Sequence, residues 1–195
     1  EIKVAYIRQY GNLARAAEIF PEVGPSAQRE RDDALWESIN CRLYNRKEQI
    51  PAPENRFKIA DKGICTPGNL TSIVADSGVG KSNFLGAFIA ALNVAESGAT
   101  DCDTLGVSAS SPEGRLVIHI DTEQSRYDHQ ASVDRALNRG KCSTQPPWLW
   151  SACLTGLSRQ EQRRALRVMV DRAPLPLHSI ILDGPGDMVV NLNDP

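Results

Sequence analysis

"VADSGVGKSNF", residues 74–84, contains Gly80-Lys81-Ser82, the closing half of a phosphate-binding loop of the form G-x-x-x-x-G-K-[ST]. That pattern places a glycine at position 75, where this chain has Ala75. A bare G-K-S also arises by chance, so the flanks decide the reading. Leu70 to Ala75 is a short β-rich run, and Lys81 to Asn93 (KSNFLGAFIAALN) is a strongly apolar helical stretch. Strand, loop and helix therefore follow in the order a phosphate loop needs. Its backbone N–H groups converge on phosphate oxygens, a lysine reaches the β and γ phosphates, and a hydroxyl holds Mg²⁺. The helix adds the positive end of its dipole. Gly78 and Gly80 supply the permissive backbone, and Asp76 and Ser77 favour a turn. Alanine is tolerated at position 75 wherever φ stays negative. The expected cradle for ATP is Asp76, Ser77, Gly78, Val79, Gly80, Lys81, Ser82 and Asn83, with Lys81 as the cation and Ser82 as the Mg²⁺ hydroxyl.

Working outward, strand and helix signals alternate. Arg115 to Asp121 (RLVIHID) reads as a strand, Tyr127 to Asn138 as a helix, and Trp148 to Leu154 as a strand. Ser158 to Arg172 reads as a charged amphipathic helix, and His178 to Asp183 (HSIILD) as a near-continuous apolar strand. Residues 96–114 are small, polar and rich in Gly and Ser, and are expected to be a loop. Strands separated by helices predict an α/β fold with a parallel sheet and crossover helices. Residues 1–46 read as helical. Pro21, Gly24 and Pro25 break an early stretch around Leu13 to Phe20 from an amphipathic one carrying Leu35, Trp36, Ile39 and Leu43. Pro51 and Pro53 mark a linker, so the division is a helical segment over 1–50 and an α/β domain over 51–195.

Two apolar strands end in acids. Ile180-Ile181-Leu182-Asp183 has the form of a Walker B strand, whose terminal Asp holds Mg²⁺. Ile118-His119-Ile120-Asp121-Thr122-Glu123 places Glu123 just past its strand. Acids often cap apolar strands as ordinary loop residues. In a parallel sheet, however, all strand C-termini share one edge, and there both acids would join the phosphate loop.

The order of phosphate loop, "HIDTEQS" and "ILDGPGDMVVNLNDP" resembles RecA-like P-loop ATPases, specifically the RepA-type group of hexameric replicative helicases and mobile-element ATPases. Asp121-x-Glu123, Asp183-Gly184, Asp187-Met188 and Asn193-Asp194 carry the resemblance, together with "TPGNLTSIVADSGVGKS". It covers roughly residues 50–195, and Pro185 and Gly186 depart from it. It implies Mg²⁺-dependent ATP hydrolysis, with Lys81 on the phosphates, Ser82 and Asp183 on the metal and Glu123 as general base. It further implies single-stranded DNA as a partner, a homo-hexamer, an arginine from a neighbouring subunit, and a further strand beyond Pro195, so that the chain is C-terminally truncated. Asp121 and Gln124 match without an assigned role. Two other functions fit the loop: a non-catalytic nucleotide-sensing module and a small-molecule kinase.

Composition is that of an ordinary globular protein, 41% hydrophobic and 24% charged with a net charge of −2, which gives no general footprint for nucleic acid. The five cysteines are scattered without a C-x-x-C pair, which speaks against a disulfide framework or zinc site and suits a reducing compartment. Histidines 119, 129 and 178 lack ligand spacing, and His119 and His178 are expected as satisfied core groups. No apolar run approaches the roughly 20 residues of a membrane span, and no signal peptide is visible. A cytoplasmic location with no membrane partner is expected.

Overall fold

A computed structural model describes residues 24–76 and 78–188. The described residues fall into two units that part between Pro51 and Ala52. The first holds helix α1 (Gly24–Asn40), which starts within the Gly24-Pro25 break rather than after it. Leu35, Trp36 and Ile39 stand exposed along it. Leu43 lies beyond the end of α1, in a turn closed by the Leu43 N–H on Asn40 O, so the helix is shorter than the sequence pattern suggests. The early stretch around Leu13 to Phe20 lies outside the described residues, as does Ser77.

The second unit begins with β1 (Phe57–Ile59) and β2 (Lys62–Cys65), paired antiparallel. The helix after the phosphate loop is α2 (Lys81–Ser97), closed by Gly98 in the left-handed conformation. Strand β3 (Val107–Ala109) pairs antiparallel with β1, completing a small sheet of order β2-β1-β3. This small sheet went unread in the sequence. Its strands are three or four residues long, too short for an alternation to register.

The second sheet is the one the sequence pattern anticipates. Strand β4 (Leu116–Asp121) is followed by α3 (Arg126–Arg139), β5 (Leu149–Cys153), α4 (Arg159–Asp171) and β6 (Leu177–Asp183), then a 3₁₀ turn over Pro185–Met188. The three strands are parallel in the order β5-β4-β6, with Asp121 opposite Cys153 on one side and Asp183 on the other. Every residue of β4 is buried, as a central strand covered on both faces requires. Val117, Leu149 and Ile181 pack with Ala87, Phe88, Ile89, Leu92, Ala136 and Leu137 of α2 and α3. On the other face, Leu116, Ile118 and Ile120 meet Ala165, Leu166, Met169 and Val170 of α4. The chain steps from β4 outward to β5, then back past β4 to β6. Crossovers of one preferred hand then put their helices on opposite faces. Helix α4 starts with a capping box, Ser158 and Glu161 exchanging side chain and backbone bonds. This is a mixed α/β architecture with four helices among the described residues and a parallel three-stranded sheet, compatible with a Rossmann-like or P-loop-like fold.

One expected strand is absent. Leu70 to Ala75 pairs with no described strand, and Leu70 and Val74 are almost wholly exposed, at 96% and 88%. Few groups tie the segment down: the Thr71 hydroxyl donates to Ile64 O at 2.6 Å, Ile73 packs against the core, and the Ala75 carbonyl accepts from Lys81. β propensity alone does not make a strand. It also needs backbone pairing with a neighbouring strand, and here the run makes none, although the Thr71 hydroxyl reaches the outer strand β2 at Ile64 O.

Candidate phosphate-loop cleft

The N-terminus of α2 opens on left-handed glycines. Gly80 takes φ 91° at the N-cap and Gly78 takes φ 79°, both left-handed, and a β-carbon on either would meet nothing within 4 Å. No side chain caps α2, which leaves its first N–H groups without a side-chain acceptor, the condition under which a helix N-terminus can take an anion. The Lys81 ammonium donates to the Ala75 carbonyl at 3.3 Å, which pins the lysine across its own loop.

Facing this loop is the exit of β4. Gly78, Gly80, Lys81 and Ser82 line one side of a cleft of about 340 Å³, and Glu123 and Gln124 line the other. The backbone N–H groups of Glu123 and Gln124 both donate to Asp121 Oδ1, at 3.0 and 2.9 Å. The Asp121 carboxyl is 1% exposed. Burial pulls its pKa up, but the His129 hydrogen bond, the two N–H bonds and the His129 charge outweigh that and hold it below the usual value. Thr122 ties the turn to the neighbouring strand, its N–H donating to Asp183 O at 3.1 Å and its hydroxyl to Gly184 O at 2.6 Å. Gly184 has φ 81°, and a β-carbon there would fall 2.5 Å from Thr122 Oγ1 and 2.6 Å from Glu123 Cγ. Only glycine fits beside the Glu123 stem.

The anticipated site residues divide into two groups. Gly78, Gly80, Lys81, Ser82, Asn83 and Glu123 come together in the cleft. Asp76 and Val79 are exposed and do not line it. Asp183 ends β6 in register with Asp121 at the same sheet edge, buried and outside the cleft lining. The oxygen donors lining the cleft include the Ser82 hydroxyl and the Glu123 carboxylate, hard ligands of the kind Mg²⁺ takes, with Asp183, the second expected metal ligand, set back from them. Among the described residues no three His, Cys, Asp or Glu side chains form a metal cluster.

The cleft also holds residues of α3 that nothing in the sequence selects, among them two of its several arginines. Ser132, Arg135, Ala136 and Arg139 follow the i, i+3, i+4, i+7 spacing that puts one face of α3 against the loop. Arg139 is locked in place: Nη1 donates to Asn83 O at 2.8 Å, and Nε bonds the Asp103 carbonyl and pairs with its carboxylate, both at 3.1 Å. Arg135 is exposed and donates to Ser132 Oγ at 2.8 Å, while the Ser132 hydroxyl donates to Gln124 Oε1 at 3.0 Å. That helical spacing was legible in the chain, but it selects these arginines only once α3 is known to face α2.

The histidines behave as core groups. His178 Nε2 is 3.0 Å from Ser110 Oγ, and His119 Nδ1 is 2.8 Å from Ser151 Oγ. All five cysteines are free thiols. Among the described residues no helix is long and apolar enough to cross a membrane. Comparison with protein-family models, curated proteins and solved structures finds no match for this chain.

Proposed function

We propose that the chain is a RecA-like P-loop ATPase domain that binds ATP with Mg²⁺ and hydrolyses it. The observation that supports this best is the placement of Glu123 across one cleft from the Gly78–Ser82 loop, at the C-terminal edge of a parallel sheet. In this reading the uncapped N–H groups of α2 and the Lys81 ammonium hold the β and γ phosphates. Glu123 accepts a proton from the water that attacks the γ phosphate, and Arg135 adds positive charge to the same cleft. Bound Mg²⁺ would supply charge neutralisation of the phosphates, with Ser82 as its ligand in the cleft and Asp183, set back at the end of β6, holding it through water. A replicative helicase or mobile-element ATPase, hexameric and acting on single-stranded DNA, is the biological setting the sequence resemblance suggests. Strand order, cleft and charge carry no independent argument for DNA.

A second reading keeps the loop and drops the chemistry: a nucleotide-sensing module that binds without turnover. It is favoured by the exposure of Leu70 and Val74 ahead of the loop and by Asp183 standing outside the cleft lining. Steady-state ATPase assays with Mg²⁺, with and without single-stranded DNA, separate the two. Turnover that collapses in Glu123→Gln while ATP binding persists is the expected result. Tight binding with no turnover under either condition leaves the sensing module.

A further inference from the structure

Four polar groups outside the cleft converge between β4, β5 and α3. His119 and Asp121 lie two residues apart on β4, so both point to the same face. Ser151 on β5 is the register partner of His119, and His129 sits in the first turns of α3. The links form one chain. His129 Nδ1 is 3.4 Å from Asp121 Oδ2, His129 Nε2 is 3.1 Å from Ser151 Oγ, and Ser151 Oγ is 2.8 Å from His119 Nδ1. The two imidazoles stack, with centroids 5.4 Å apart and planes 12° from parallel. Asp121, His119 and His129 are buried, and Ser151 is half-buried.

Packing alone gives no reason for this set. Burying polar and charged groups costs free energy, and apolar side chains of similar volume would fill the same space at no loss. The arrangement makes sense from its far end. Asp121 Oδ1 accepts both N–H groups of the turn that presents Glu123, so the orientation of that carboxyl sets where Glu123 points. A carboxylate has no proton to give, so His129 must donate from Nδ1 to Oδ2. With the ring neutral, its Nε2 accepts from the Ser151 hydroxyl, and Ser151 Oγ accepts from His119 Nδ1–H. Each link orients the next. The order Ser151–His129–Asp121 is also that of a nucleophilic triad, but here the serine oxygen is engaged by a histidine on each side.

We propose that Asp121 and His129 are positioning residues that aim Glu123 into the phosphate-loop cleft, with Ser151 and His119 as the outer links that fix the His129 ring. This rests on the reading of Glu123 as the base, and one half of its test is independent of that reading.

The test measures three quantities on the full chain: amide hydrogen exchange at Glu123 and Gln124, affinity for a fluorescent ATP analogue, and kcat. His129→Leu removes the donor to Asp121. It should speed exchange at both amides at least about 10-fold and lower kcat about 10- to 100-fold, the usual cost of losing an outer orienting partner. Nucleotide affinity should stay unchanged, because none of the four residues lines the cleft. His129→Asn keeps an N–H that can reach Asp121 and should restore most of the exchange protection and kcat. Unchanged exchange and kcat in His129→Leu overturn the proposal. So does a parallel loss of affinity and kcat that His129→Asn does not rescue, because that is the mark of a purely structural role. If His129→Leu fails to fold, Ser151→Ala breaks the chain at its half-buried link. It should move both quantities in the same direction by a smaller factor, and no change there overturns the proposal equally. Faster exchange in His129→Leu, with full turnover retained in Glu123→Gln, supports the positioned turn and removes Glu123 as the base.

Discussion

The two walls of the candidate cleft are held in opposite ways. The acid wall, Asp121 to Gln124, is braced from three directions: by Asp121 beneath it, by Thr122 on the Asp183 and Gly184 carbonyls, and by the Gln124 carbonyl accepting from Thr155. The phosphate wall hangs from a segment with no strand partner, tied by Thr71 and Ile73 and followed by glycines with open space around them. The acid side is thus preorganised, which is what placing a base requires. The loop side draws its order from the N-terminus of α2, and in the proposed function from the phosphates it would hold.

The sharpest way to break this contrast is at the lysine. Lys81→Ala should weaken ATP binding at least about 100-fold, the scale of losing a charge-assisted phosphate contact. It should leave the melting temperature of the free protein almost unchanged, since Lys81 bonds only a loop carbonyl. Titration with a fluorescent nucleotide and a thermal melt read the two effects. Tight ATP binding without Lys81 would rule out the phosphate-loop reading.

The braced wall should instead fail in acid. Burial first, then the nearby His129, lower the pKa of His119 to about 4 against the opposite pull of Asp121. Burial likewise lowers that of His178. A depressed histidine pKa means that the unfolded chain binds more protons below the ordinary value of 6.5. Stability is therefore full above pH 6.5 and falls as pH drops toward about 4. His119 alone would account for roughly 3 kcal/mol of that loss. Urea unfolding at pH 7 and near pH 4.5 measures it, and a flat profile would remove His119 from the account.

A smaller effect tests how tightly the acid turn is packed. Gly184→Ala combines a left-handed φ with a clash against Thr122 and Glu123 and should cost about 2 kcal/mol. Turnover should fall further than stability predicts, because the displaced atom is in the Glu123 side chain. The smallest effect belongs to the loose wall: Leu70→Ser, at a side chain 96% exposed, should change stability by no more than about 0.5 kcal/mol. A large loss there would mean that the segment is paired as a strand after all.

The contrast also explains what could be read in advance. β4, β5, β6 and the helices between them were legible because each is long enough for an apolar period to show, and no bound moves by more than one position. Glycine and lysine spacing gave the loop, and strand ends gave the two acids. The small sheet was missed for shortness. Leu70 to Ala75 was misread because its apolar side chains match the pattern of a strand that the fold leaves unpaired.

What the sequence determined alone is residues at fixed spacing: a glycine-lysine-serine loop opening a helix, and acids closing two parallel strands. Both depend on neighbours in the chain, so local order suffices. Tertiary structure decided which groups meet. Glu123 reaches the cleft while Asp183 stays behind it, α3 contributes Arg135 and Arg139, and four scattered residues close into one buried chain behind Asp121. Those contacts join β4, β5 and α3 across as many as 32 positions, a separation that no periodicity records.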